Sequence, residues 1–278
     1  MMERARSVRL RIDLAYDGAT FHGYARQPEL LTVQGTLEGA LSRFFGFEAN
    51  VTCAGRTDRG VHALAQVVHL DVPIDNPQVA RHLGDLDEFA RRLNQNVGEA
   101  ITIWQVRKVS DTFNARFSAT SRRYRYRIAE QRQDNPLTRH NRWNVGEPLD
   151  LGAMRAAAKY LVGEHDFASL CRAVPGRTTV RRITALTVSR RAPSQLHVVV
   201  TGNAFCHQQV RSLVGCLVEV GRGRQPAHWM GEVLAARDRS VAAAVAPPHG
   251  LTLEEVRYGA GYASAPPVSV RHQLSLRP

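Results

Sequence analysis

The sequence predicts an α+β protein of two domains, each a mostly antiparallel sheet with helices packed on one face. Three observations carry this. Apolar and polar residues alternate over Val8–Tyr16, Ile101–Val109 and Ser118–Ala129, the period-two signature of strands with one buried face. Between such runs, apolar residues recur at helical spacing behind residues that cap or open helices. Residues 1–110 then read β-α-β-β-α-β, a split βαβ order, and the second half follows a similar plan with insertions.

In chain order, the first strand ends at the Asp17-Gly18 turn. Thr32 caps a helix whose stripe is Val33, Leu37, Ala40, Leu41, Phe44 and Phe45. A strand follows around Ala49–Ala54, then a glycine-bracketed loop, then a strand through Ala65–Val72. Pro77 opens one helix carrying Leu83, Leu86, Ala90 and Leu93 on a single face. The second half opens with the strand over Ser118–Ala129, where Tyr124, Tyr126 and Ile128 alternate with arginines. Residues 130–149 read as a long loop, and Asp150 caps a helix through Tyr160 and Leu161. Val180–Ser189 and Gln195–Ala204 form a hairpin turning near Ala192-Pro193-Ser194. Helices follow from Cys206 to Val220 and from Pro226, and Leu251–Tyr258 is the last strand. The expected domains are 1–110 and 111–262, with a loose tail at 263–278.

The net charge of +12 at pH 7 attracts polyanions, nucleic acid before anionic membrane. Only Lys108 and Lys159 among the basic residues are lysines; the rest are arginines, whose forks grip phosphate and stack on bases. Cys53, Cys171, Cys206 and Cys216 form no C-x-x-C pair, which argues against zinc or a disulfide framework and for a reducing compartment. There is no leader-like apolar segment at Met1–Val8 and no apolar run long enough for a membrane span. A cytoplasmic protein without a metal or cofactor is expected.

The chemistry concentrates in "CAGRTDRGVHALAQ", Cys53–Gln66. Asp58 stands between Arg56 and Arg59, and Gly55 and Gly60 bracket the trio. Glycines let such a loop turn tightly at a sheet end. Flanking guanidiniums favour the charged carboxylate, which in a protected site can act as a nucleophile. The same residues taken alone also fit a structural ion pair. His62 and His69 invite a general-base reading, but no second carboxylate or serine completes a relay, so a structural or RNA-contacting role is expected.

The string Gly55-Arg56-Thr57-Asp58-x-Gly60-Val61-His62-Ala63 resembles the signature of the TruA-type tRNA pseudouridine synthase family. The likeness runs along the chain: Tyr16-Asp17-Gly18 with Phe21, Gly23, Arg26 and Gln27, then Val33-Gln34, then Gln66-Val67-Val68-His69. It continues through Phe113–Ala119, Tyr124-Arg125-Tyr126, Gly163–Phe167, Asn203-Ala204-Phe205 with Val210-Arg211, and Gly250-Leu251-x-Leu253. The resemblance implies uridine isomerisation at nucleotides 38 to 40 of the anticodon stem-loop of many tRNAs, in an active-site cleft between the two domains. It makes Asp58 the catalytic acid, with attack on either the ribose or the uracil ring. Tyr124 matches the tyrosine that stacks on the uracil, and a phenol of ordinary pKa suits stacking better than proton abstraction. Arg211 matches the arginine that pairs with the aspartate, Arg56 the residue that fills the space of the flipped nucleotide, and Leu253 an apolar wall. Arg59, His62, Arg26, Gln27 and Arg123 are candidate RNA contacts. No cofactor is implied, and the partners are tRNA and a second copy of the chain, as a homodimer.

This sequence departs from the family pattern at Arg59, where a small residue is usual, at Tyr24-Ala25, and across Asn94–Ile101, which lacks the usual Pro and Asp. Two other functions remain open on the residues alone. One is a non-catalytic tRNA-binding or folding protein. The other is a glycosidic hydrolase, which ordinarily needs a pair of carboxylates where the loop offers only Asp58.

Overall fold

The computed structural model of the chain describes residues 6–262, so the segment at 263–278 read above as a loose tail lies outside the described residues. Contacts divide the described residues into two compact units: those up to Thr120 together with those from Glu254, and Ser121–Leu253. The fold is a mixed α+β one, with mostly antiparallel strand pairing.

In the first unit, β1 (Ser7–Tyr16) is central, paired antiparallel with β3 (His62–Pro73) and β4 (Ile101–Val109). The short β2 (Thr52–Cys53) extends the sheet along β3. The order β4-β1-β3-β2 is what a split βαβ order produces. β1 departs from the expected one-sided burial: from Leu10 onward every residue is buried. Arg11 is 1% exposed, its guanidinium on Asp13 (2.6 Å) and over the Tyr258 ring (4.7 Å), so a charge faces the interior without being unpaired.

Helix α1 (Val33–Phe45) begins as expected, with Thr32 Oγ1 accepting from the Gly35 N–H. Its stripe is buried except Phe44, and Glu38 joins it, accepting from the Gln34 amide and the Val51 N–H. The expected helix from Pro77 is two helices, α2 (Pro77–Leu83) and α3 (Leu86–Asn94). Asp85 accepts from the Glu88 N–H and restarts the helix, overriding the continuous apolar period. Phe44 and Phe45 of α1 meet His82 of α2 and Phe89 of α3 in ring contacts that lock the three helices together.

In the second unit, β5 (Ala119–Ala129), β9 (Gln195–Gly202), β8 (Val180–Ala192) and β7 (Gly163–Asp166) pair antiparallel in that spatial order. β7 and the short β6 (Trp143–Asn144), parallel to β5, are absent from the sequence reading. Their segments, Gly-Glu-His-Asp and Trp-Asn, are too short and polar to show a period. Helix α4 (Leu151–Lys159) is capped by Asp150, α5 (Gln209–Gly221) is buried along most of its length, and α6 (Trp229–Ala236) follows. β10 (Leu251–Tyr258) carries the chain from this unit back to the first. No helix among the described residues is long and apolar enough to cross a membrane.

Candidate active site

Asp58 lies in the segment that leaves β2 at Cys53 and enters β3 at His62. Three sets of contacts fix this loop. The first is its own turn. The Val61 N–H donates to the Asp58 carbonyl (3.1 Å), and Gly60 has φ +79°, the type II pattern that needs glycine at its third position. Arg59 occupies the second position, which needs no positive φ, and it is exposed. The unusual arginine is therefore accommodated without cost to the turn.

The second set is a buried polar cluster beneath the loop. Gln66, fully buried on β3, donates from Nε2 to the Gly55 carbonyl (2.7 Å) and to the Tyr16 hydroxyl (3.3 Å). The Tyr16 hydroxyl lies 2.8 Å from Thr57 Oγ1. The amide thus ties the Gly55 backbone to β3 and, through the Tyr16 hydroxyl, links the Thr57 side chain to β1.

The third set comes from the segment before α1. The Tyr24 N–H donates to the Thr57 carbonyl (3.0 Å), while the Gly23 and Tyr24 carbonyls accept from the first N–H groups of α1 at Val33 and Gln34. Gly23 has φ +103°, and a Cβ there would stand 3.3 Å from both the Arg59 nitrogen and the Thr57 oxygen. Tyr24, a departure from the family pattern, is a core residue, 1% exposed and 6.3 Å from the Tyr16 ring. Burial pushes its phenol well above the usual range.

The result is a loop backbone pinned from two sides, with Asp58 half-buried and Arg56 and Arg59 exposed. Pinning fixes the backbone that carries Asp58. His62 Nδ1 lies 2.9 Å from Asp17 Oδ1 and 3.2 Å from the Gly18 nitrogen, which holds the start of β3 to the end of β1. Arg26 reaches Glu48 (3.4 Å) and Glu38 (3.8 Å), and Gln27 donates to the His22 carbonyl. Buried His69 accepts at Nδ1 from the Ala115 N–H, and burial with nearby Arg9 lowers its pKa, which keeps it neutral. The Asn94–Ile101 departure is held by Asn94, whose amide exchanges two hydrogen bonds with the Ile103 backbone.

The other candidates belong to the second unit. Tyr124 on β5 lies opposite Val200 and is 7% exposed, its ring meeting Phe205 edge-on at 5.3 Å. Arg123, beside it, is half-buried on the other face of the strand. Arg211, in the first turn of α5, donates from Nε to the Ala246 carbonyl (2.8 Å), and the Ala246 N–H donates back to the Arg211 carbonyl (3.2 Å). The Tyr126 hydroxyl donates to the next carbonyl, Pro247 (2.7 Å). Burial raises the Tyr126 phenol pKa, with the Arg211 charge acting against it. Leu253 on β10 is fully buried. Among the described residues no cluster of His, Cys, Asp or Glu is placed to hold a metal ion.

Gln66, Thr57 and Tyr16 brace the Asp58 loop, a part that site assignment from sequence does not single out. Gln66 had a visible signal: it is a polar residue inside the run Leu64-Ala65-x-Val67-Val68, where only a partnered amide is tolerated.

A basic α+β chain presenting one braced carboxylate on a glycine-flanked loop fits the pseudouridine synthase class, and residues 157–259 match the family model described as tRNA pseudouridine synthase. Relatives named tRNA pseudouridine synthase A match nearly the whole chain. That of Frankia casuarinae is 50% identical over 90% of this chain and 89% of its own length. That of Idiomarina loihiensis is 44% identical over 92% and 95%, and that of Streptomyces griseus 45% identical over 91% and 89%. A solved archaeal box H/ACA sRNP Nop10-Cbf5 complex is similar at TM-score 0.32 and 13% identity, covering 89% of this chain and 48% of the other. The chain belongs to the tRNA pseudouridine synthase A family, isomerases that convert uridine to pseudouridine.

Proposed function

We propose that the chain isomerises uridine to pseudouridine at positions 38 to 40 of the tRNA anticodon stem-loop, with Asp58 as the nucleophile. The observation that carries this reading is the half-buried Asp58 carboxylate on a loop braced through Gln66, Tyr16 and Tyr24. The reaction breaks the N1–C1′ bond of the nucleotide, turns the uracil and joins C5 to C1′. The C5 proton leaves and N1 gains one, so atoms balance and no electrons are exchanged. What the protein must supply is a flipped-out nucleotide, a fixed carboxylate and a pocket that keeps the freed uracil from escaping.

Asp58 attacks the flipped nucleotide, at the ribose or at the ring. Tyr124 stacks on the uracil, Leu253 walls it, and Arg211, held through its Nε by the Ala246 carbonyl, serves the site with a guanidinium of fixed direction. Arg56, exposed beside Asp58, takes the space the flipped nucleotide vacates. Arg59, His62, Arg26, Gln27 and Arg123 contact the RNA around it. The +12 charge supplies the long-range attraction for tRNA. The enzyme works in the cytoplasm as a homodimer, and sedimentation with and without tRNA tests the oligomeric state.

The test is to incubate the protein with an unmodified tRNA transcript and map the products by carbodiimide labelling and primer extension. Pseudouridine confined to positions 38 to 40 is the expected result. Pseudouridine elsewhere overturns the positional assignment. Abasic sites with free uracil indicate a hydrolase, and unchanged uridine with tight binding indicates a non-catalytic RNA-binding protein.

A further inference from the structure

The helical side of the first unit carries a groove with a volume of about 430 Å³, lined by Arg43, Phe44, Arg81, His82, Arg92 and neighbouring amide side chains. Its chemistry is one-signed. Arg43 comes from the last turn of α1, Arg81 and His82 from the last turn of α2, and Arg92 from the last turn of α3. No aspartate or glutamate lines it. Among the described residues none of the three arginines forms an ion pair, whereas neighbouring Arg91 is paired with Glu88 at 2.6 Å.

Part of this charge has a local use. A helix C-terminus carries roughly half a negative charge, and a cation in the last turn complements it. That accounts for each arginine on its own helix, but it offsets only about half of each guanidinium. Arg43 donates to the Asn96 carbonyl (3.2 Å), and Arg92 lies over the Phe44 ring (5.5 Å), so both are held in direction while keeping free donors on their forks. Burial, then the charges of Arg92 and Arg81, lower the pKa of His82 on the groove floor, as expected where positive potential is not met by an anion. The amides of Gln78, Gln95 and Asn96 add neutral donors at the rim.

We propose that this groove binds backbone phosphates of the tRNA substrate, as an RNA contact separate from the loop that carries Asp58. The inference rests on the reading of the chain as a tRNA-modifying enzyme. Guanidinium forks and amide donors in an open groove suit phosphate oxygens, which they can contact bidentately. Contacts to phosphate rather than to base edges make the interaction insensitive to sequence.

The test is the salt dependence of tRNA binding by the full-length protein and by the variant R43Q/R81Q/R92Q. Each phosphate contact contributes roughly 0.9 to the slope of log K against log salt on a duplex. The variant is expected to lose about two to three units of slope, to bind tRNA at least tenfold more weakly at low salt, and to keep its kcat at saturating tRNA. An unchanged slope and affinity overturn the proposal. If the triple variant fails to fold, Arg81→Gln alone decides, because Arg81 is exposed and among the described residues forms no ion pair. Its expected loss is about one unit of slope, and an unchanged slope again overturns the assignment. Pseudouridine formation by the unsubstituted protein is measured on the same transcript. Its absence refutes the function itself, whereas pseudouridine with an unchanged slope refutes only the groove.

Discussion

Replacing Gln66 by Leu tests whether the buried amide positions the loop proposed to carry the nucleophile. The side chains are similar in volume, so no cavity opens. Three hydrogen bonds of the fully buried Gln66 side chain are lost: two from Nε2, to the part-buried Gly55 carbonyl and the buried Tyr16 hydroxyl, and one that Oε1 accepts from the Val67 N–H. Tyr16 keeps Thr57 as a partner, but the Gly55 carbonyl loses its amide donor. Leaving the part-buried Gly55 acceptor unsatisfied costs about 1 kcal/mol, and the bonds with Tyr16 and Val67 add about 0.5–1 each, for a total near 2–3 kcal/mol. In a chain of this size that lowers the Tm by about 2–4 °C per kcal/mol. The catalytic effect follows from geometry. Gly55 is three residues from Asp58, and a displacement of about 1 Å at a reacting group can cost on the order of a hundredfold. The expected result is a kcat lower by about ten- to a hundredfold, with tRNA affinity within a factor of about two because phosphate attraction is distributed over many arginines. Urea or thermal unfolding reads the first effect, and single-turnover tritium release from C5-labelled tRNA the second. A variant that loses the stability but keeps its kcat refutes the claim that this amide positions Asp58.

Gly23→Ala forces a φ of +103° on a residue with a Cβ and presses that carbon to 3.3 Å from the Arg59 nitrogen and Thr57 oxygen. It should lower kcat while leaving tRNA binding intact, and unchanged single-turnover rates contradict this. His197 offers a pH test. Burial, then Arg125, Arg127 and Arg191, lower its pKa from 6.5 to about 4. Between those values the unfolded chain holds the extra proton, so stability is complete above pH 6.5 and falls as pH drops toward 4. The loss is about 2–3 kcal/mol at most after solvent screening. Urea unfolding of the protein and of His197→Gln at neutral and acidic pH checks this, and equal pH dependence in the two refutes it.

Legibility in the sequence followed how local each signal is. Thr32, Asp150 and the α1 stripe announce their helices because a cap and a 3.6-residue period need only neighbours in the chain. The break between α2 and α3 was hidden because the apolar period runs on through Gly84-Asp85, and only the Asp85 cap interrupts it. Burial of Arg11 could not be read from alternation, since it depends on Tyr258 from the far end of the chain. The same distance hides the return of the chain from Glu254 to the first unit. In the site, the Asp58 loop was legible as a motif, and Gly60 as the residue its turn demands. Gln66 stands out as a polar residue in an apolar run, but the partners it and Tyr24 brace were not legible, because they are backbone carbonyls of other segments, which carry no sequence signature.

The central claim is that Asp58 carries the chemistry. Asp58→Asn preserves the size of the side chain and the turn made by its backbone while removing the nucleophilic carboxylate. Single-turnover assay of this variant on an unmodified tRNA transcript, with tRNA affinity measured in parallel, addresses the claim directly. The account predicts no pseudouridine at positions 38 to 40 and tRNA binding close to that of the unsubstituted protein. Pseudouridine formation by Asp58→Asn at a rate near the unsubstituted one would contradict it.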